Sequence, residues 1–161
     1  AARERRTVKI AAVPGLCRQY LPPMRAGGGG KILNVSAIGG FVPGPGNAVY
    51  CATKSYVLSL SRALAEECAG SGVSVTALCP GATRTGFAKR AEMENALLFQ
   101  SGVMTPAQVA ASAYRGMMAG RAVVVPGWSN KAMHLFSKLL PNALAAKASA
   151  AAQRPVDTKQ Q

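Results

Sequence analysis

Acidic residues are scarce: six Asp and Glu stand against 19 Lys and Arg, a formal charge of +13, and none occurs between Glu4 and Glu66. Such an excess raises nucleic acid as a partner, because a basic face neutralises phosphates. The basic positions are scattered, however, and aromatic residues make up only 6% of the chain. The sequence therefore favours a solvated basic surface and no nucleic-acid partner. The four cysteines, Cys17, Cys51, Cys68 and Cys79, share no CxxC spacing, and His134 is the sole histidine. That excludes a sequence-recognisable zinc site or redox pair and leaves the thiols as small buried hydrophobes. No run approaches the roughly 20 apolar residues of a membrane span, and the basic first twenty residues show no secretory pattern, so a cytoplasmic address is expected. Lys131, Lys138, Lys147 and Arg154 on an Ala- and Leu-rich tail permit contact with a membrane surface, although a solvated helix is the favoured reading.

What remains is one domain's worth of chain, 161 residues and 49% hydrophobic. Apolar spacing predicts a helix over 8–24, interrupted at Pro14-Gly15 and ended by Pro22-Pro23. A short apolar run at 31–35 reads as a buried strand, and the Gly- and Pro-rich stretch 39–46 as a loop. The strongest helical pattern covers 48–69 and stops at Gly70 and Gly72. A second strand follows at 73–78. Thr105 with Gln108 caps a helix through Met118, a third strand lies at 122–126, and a last helix spans 130–141. Residues 1–153 are expected to form the domain and 154–161 a frayed tail. Alternating helices and strands imply a parallel sheet with helices on both faces, an α/β Rossmann-like half-domain of three strands. The strand, glycine turn and helix N-terminus that hold a pyrophosphate are not found in the sequence, since Gly27 to Gly30 precede a strand rather than follow one.

Three motifs stand in order: Lys31-Ile-Leu-Asn-Val-Ser36, Tyr50-Cys-Ala-Thr-Lys54 and Cys79-Pro-Gly-Ala-Thr-Arg-Thr85. Together they resemble the C-terminal half of the short-chain dehydrogenase/reductase family, over roughly residues 6–141. The resemblance implies an oxidoreductase that uses NAD or NADP to move hydride between nicotinamide and a small-molecule alcohol or carbonyl. It implies Tyr50 as proton donor and Lys54 as the residue that lowers the Tyr50 pKa and bonds the nicotinamide ribose. Pro80, Gly81, Thr83 and Thr85 match the loop along the nicotinamide. It also implies a homo-oligomer formed through the helix bearing Tyr50. Physical chemistry agrees with the first pair, because residues at i and i+4 share a helix face and an ammonium beside a phenol favours the phenolate.

Two positions depart from the family pattern. Its substrate-polarising Ser, thirteen residues before the Tyr, is Ala37 here; Ser36, one residue early, is the candidate hydroxyl, although strand alternation aims it at the other face. Its relay Asn aligns with Lys9, which cannot accept a hydrogen bond. The sequence thus predicts a chain that is catalytically silent alone. The alternatives are a non-catalytic, self-associating or binding module of the same descent, or a gene fragment without selected function. His134 reads as core edge or surface. Met117, Met118, Trp128 and Phe136 read as packing or as part of a substrate lid, which the sequence does not separate.

Overall fold

The computed structural model describes the backbone of residues 2–86 and 102–152, with side chains from Ile10 onward except Asn142; the expected tail at 154–161 lies outside the described residues. The first element, α1 (Ala2–Ala26), runs straight through Pro14, Pro22 and Pro23, where the sequence predicted a break and an end. Each proline deletes one donor, to the carbonyls of residues 10, 18 and 19. Ile10, Arg18 and Gln19 are all exposed, so water can take those bonds. The helix closes with Gly27 and Gly29 donating to the carbonyls of Pro23 and Met24, and with Gly28 at φ 72°.

Strands β1 (Gly30–Val35), β2 (Val73–Leu78) and β3 (Val123–Val124) form one parallel sheet in that order, with Gly30 opposite Val73 and Ala77 opposite Val123. β3 is shorter than the expected 122–126, because Pro126 has no N–H to continue the ladder. Helix α2 (Ala48–Glu67) matches its apolar pattern closely. The loop before it holds one 3₁₀ turn at Ile38–Gly40, which the glycines and prolines had hidden.

Side-chain alternation divides the core between the two faces of the sheet. Val73 and Val75 pack with Cys17 and Leu21 of α1, while Ala77 and Cys79 pack with Leu58 of α2. On the opposite face, Leu78 and Val124 meet Val109 and Ala113 of α3 (Pro106–Met118), whose N-terminus carries the expected Thr105/Gln108 capping box. Helices thus cover both faces, as the alternating pattern predicted. Helix α4 (Trp128–Leu139) ends before Pro141, with Leu140 extended at ψ 136° as the residue before a proline requires. A further helix, α5 (Asn142–Ala152), follows.

The entrance to β2 depends on one glycine. Gly72 has φ 75°, and a Cβ there would lie 2.1 Å from the Gly28 carbonyl oxygen. Backbone cannot yield as a side-chain tip can, so Gly72→Ala combines left-handed strain with a clash. We expect a loss of about 3 kcal/mol, measurable as a lower urea midpoint at unchanged slope. Gly70→Ala serves as control, because Gly70 has the same φ with open space around it.

Candidate active site

The C-terminal ends of β1 and β2 and the first turns of α2 enclose one cavity of about 1230 Å³. Tyr50, Lys54, Ser36, Pro80, Gly81, Thr83 and Thr85 all line it, and so does Ala37. Every site residue named from the sequence is therefore gathered around one space, at the strand ends where open α/β sheets place ligands.

Within it, the Lys54 Nζ lies 5.9 Å from the Tyr50 ring centroid and donates to the Val35 carbonyl at 2.9 Å. The expectation that Lys54 draws the Tyr50 pKa down is corrected here. Burial pushes the phenol up, and the neighbouring Cys51 adds to the rise. Phenolate formation loses hydration in the wall of the cavity, while the ammonium is engaged at the end of β1.

Ser36 is 1% exposed, and its hydroxyl donates to the Lys54 carbonyl at 2.6 Å. That bond ties the end of β1 to the helix carrying Tyr50. Gly40 fits beneath the same turn, where a Cβ would come within 2.9 Å of the Lys54 carbonyl oxygen. Ala37, extended at φ −165° and ψ 164°, presents only a methyl group to the cavity. Next to Ser36, the Cys79 thiol is pushed up to about 11 by burial, against smaller opposing effects of Ser36, Arg62 and Lys54. Lys9 belongs to α1, and its side chain lies outside the described residues.

Two asparagines position the site without having been read from the sequence. Asn34, buried in β1, donates to the Ser61 hydroxyl of α2 at 3.0 Å, and Ser61 donates to the Val57 carbonyl. An Asn inside the apolar run 31–35 was the available signal, because a buried amide requires a partner. Asn130, 7% exposed, donates to the Pro126 carbonyl at 2.8 Å and fills the space over Gly81. A Cβ at Gly81 would lie 2.2 Å from the Asn130 Oδ1. This close approach locks the 79–85 loop against α4. The loop is further held where Arg84 donates to the Met104 carbonyl at 2.8 Å and Met104 to that of Ala82 at 3.1 Å.

The far wall is apolar. Met117 of α3 and Phe136 of α4 line the cavity, and Ala145 and Ala148 of α5 complete this wall. Trp128, 84% exposed, and Met118, 49% exposed, are not core residues, so the packing reading is corrected for both. Trp128 opens α4 directly after the left-handed Gly127, outside the helix's packed face. His134 lies against Phe41 with ring centroids 3.7 Å apart, a core-edge place as expected. Among the described residues no group of His, Cys, Asp and Glu could hold a metal ion, and no helix is long and apolar enough to cross a membrane.

Comparison with known proteins supports the same reading. The chain is similar to 2-(R)-hydroxypropyl-CoM dehydrogenase of Xanthobacter autotrophicus, 39% identical over 69 residues, which are 43% of this chain and 28% of that protein. It is similar to D-beta-hydroxybutyrate dehydrogenase of Rhizobium meliloti, 36% identical over 73 residues, 45% of this chain and 28% of that one. A short-chain dehydrogenase from Sphingobium yanoikuyae, solved in complex with NADPH, superposes with a TM-score of 0.68 at 29% identity, over 88% of this chain and 58% of that one. The matched segments thus span less than a third of these curated relatives and little more than half of the solved structure. Residues 4–96 match the family model described as short chain dehydrogenase, the span that holds the β1 end, Tyr50, Lys54 and the 79–85 loop, and the chain belongs to that family.

Proposed function

We propose that this chain is the catalytic-side half of an NAD(P)-dependent oxidoreductase that interconverts an alcohol and a carbonyl. The observation that carries this reading is the convergence of Tyr50, Lys54 and the 80–85 loop on one cavity at the strand ends. The walls fit a nicotinamide: Pro80 and Gly81 offer a flat edge, Thr83 and Thr85 hydroxyls for a carboxamide, and Lys54 a cation for a ribose hydroxyl. When bound, the nicotinamide supplies or accepts the hydride. Tyr50 takes the hydroxyl proton of an alcohol at its Oη during oxidation and returns it to the carbonyl oxygen during reduction. The raised Tyr50 pKa favours the protonated phenol, and so proton donation to a carbonyl, in the chain taken alone.

The apolar far wall suits a substrate with an apolar body. Among the described residues no glycine-turn unit that would hold a pyrophosphate stands out, so productive cofactor binding is expected only together with the nucleotide-binding half of a family member. Self-association through α2 fits its outer face, where Val49 and Tyr56 are exposed one heptad apart.

The test joins this chain behind the nucleotide-binding half of a family member and follows NAD(P)H absorbance with secondary alcohols. Slow but measurable turnover is expected from the fusion, and no saturable micromolar binding of NADH or NADPH by the chain alone. A well-folded fusion that binds cofactor without any turnover would favour the non-catalytic reading.

A further inference from the structure

Beside the first cavity, and sharing Phe41, His134, Ser137 and Leu140 with it, α2 and α4 line a second, open cavity of about 480 Å³. The rest of its lining is more polar. Arg62 and Ser59 enter from α2, His134 and Lys138 from α4, with Ser55 a turn above Ser59. Phe41 serves as the platform: the Arg62 guanidinium carbon lies 5.6 Å from its ring centroid and the His134 ring stacks on it. Two permanent cations thus converge on one imidazole. Among the described residues neither Arg62 nor Lys138 has a carboxylate partner, and the buried Nδ1 of His134 has no hydrogen-bond partner.

We propose that this cavity is a binding site for a phosphate group. Unpaired like charges held around a shared space repel one another, and a dianion between them converts that repulsion into attraction. Arg presents a planar fork of donors, Lys a point charge, and the serines hydroxyl donors, a set suited to tetrahedral oxygens. The charges facing His134 are Arg62 from α2 and Lys138 from its own helix, while Phe41 contributes none. Their positive potential, after burial itself, holds the imidazole below its ordinary pKa. A bound phosphate reverses the sign of that potential. The space exceeds the needs of an inorganic ion, so the phosphate of a small organic ester is the expected occupant. This inference does not rest on the oxidoreductase reading.

Because His134 is the only histidine, its Hε1 proton gives a single resolved reporter in the NMR spectrum of the full chain. The chain is titrated over pH with inorganic phosphate, with glycerol 3-phosphate, and with chloride at matched ionic strength. Both phosphates are expected to raise the His134 pKa saturably, by about one pH unit, and chloride is not. Tighter binding of the ester identifies an organic phosphate as the natural ligand, and equal binding a free ion; either outcome supports the site. Arg62→Gln and Lys138→Met, both at exposed positions, are each expected to weaken phosphate binding about tenfold, with the His134 stacking shifts on Phe41 retained as evidence of folding. A His134 response to phosphate no larger than that to chloride, or one unchanged in both variants, overturns the proposal.

Discussion

Replacing Tyr50 with phenylalanine is expected to lower alcohol oxidation by the fused enzyme by a factor of about 10² to 10⁴, the usual contribution of a positioned acid or base. The substitution removes one oxygen and keeps the ring that packs beside Cys51 and under the Lys54 ammonium. Secondary structure and cofactor affinity should therefore hold while turnover falls, so the loss appears in kcat rather than in the circular dichroism spectrum. The pH profile offers a second readout. As the base for alcohol oxidation Tyr50 acts deprotonated, so the rise of the parent profile with pH should vanish in Tyr50→Phe. Unchanged turnover would remove Tyr50 from the chemistry and favour the binding-module alternative.

Ala37→Ser is expected to act in the opposite direction, raising turnover by about a hundredfold. Ala37 presents a methyl group at the cavity wall beside the end of β1, where a hydroxyl could bond the oxygen whose charge changes during reaction. Losing one such donor costs about 10² in rate in comparable sites, and restoring it should return a similar factor. Ser36 cannot readily substitute, because its proton is committed to the Lys54 carbonyl at 2.6 Å. Ser36→Ala supplies the contrast: it should reduce stability by about 1 kcal/mol through the lost bond and leave turnover nearly unchanged. If Ser36→Ala abolishes activity and Ala37→Ser adds nothing, the polarising role belongs to Ser36.

The sequence conveyed those parts of the molecule whose causes are local. Helix α2 was legible because Ala and Leu recur at helical spacing and two glycines follow; the Thr105/Gln108 cap was legible because it closes within one turn. The gathering of Tyr50, Lys54 and the 80–85 loop was legible through three motifs in order. Where the outcome depended on solvent or on distant partners, the reading failed. The prolines of α1 are tolerated because the carbonyls they strand face water, which no spacing rule records. The direction of the Tyr50 shift turns on burial of the phenol in the cavity wall, with Cys51 adding to it, and that burial arises only when the folded elements meet. Asn130 over Gly81, and Arg62 with Lys138 around His134, likewise join residues far apart in the chain. The Ala-rich segment of α5 carries no aromatic residue and no motif to announce that it walls a cavity.

The pairing of β1 with β2 also has a consequence for synthesis. Parallel neighbours require a crossover, and here the partner of Gly30 is Val73, about 40 residues later along the chain. At ribosomal rates of ~5–20 residues per second, β1 leaves the ribosome several seconds before its partner exists. During that interval Ile32, Leu33 and Val35 form an apolar strand with both edges open, and α2 has to assemble before the sheet can close over it. The nascent chain is thus most exposed to aggregation and to chaperone capture between the appearance of β1 and that of β2, and slower translation through α2 lengthens that window.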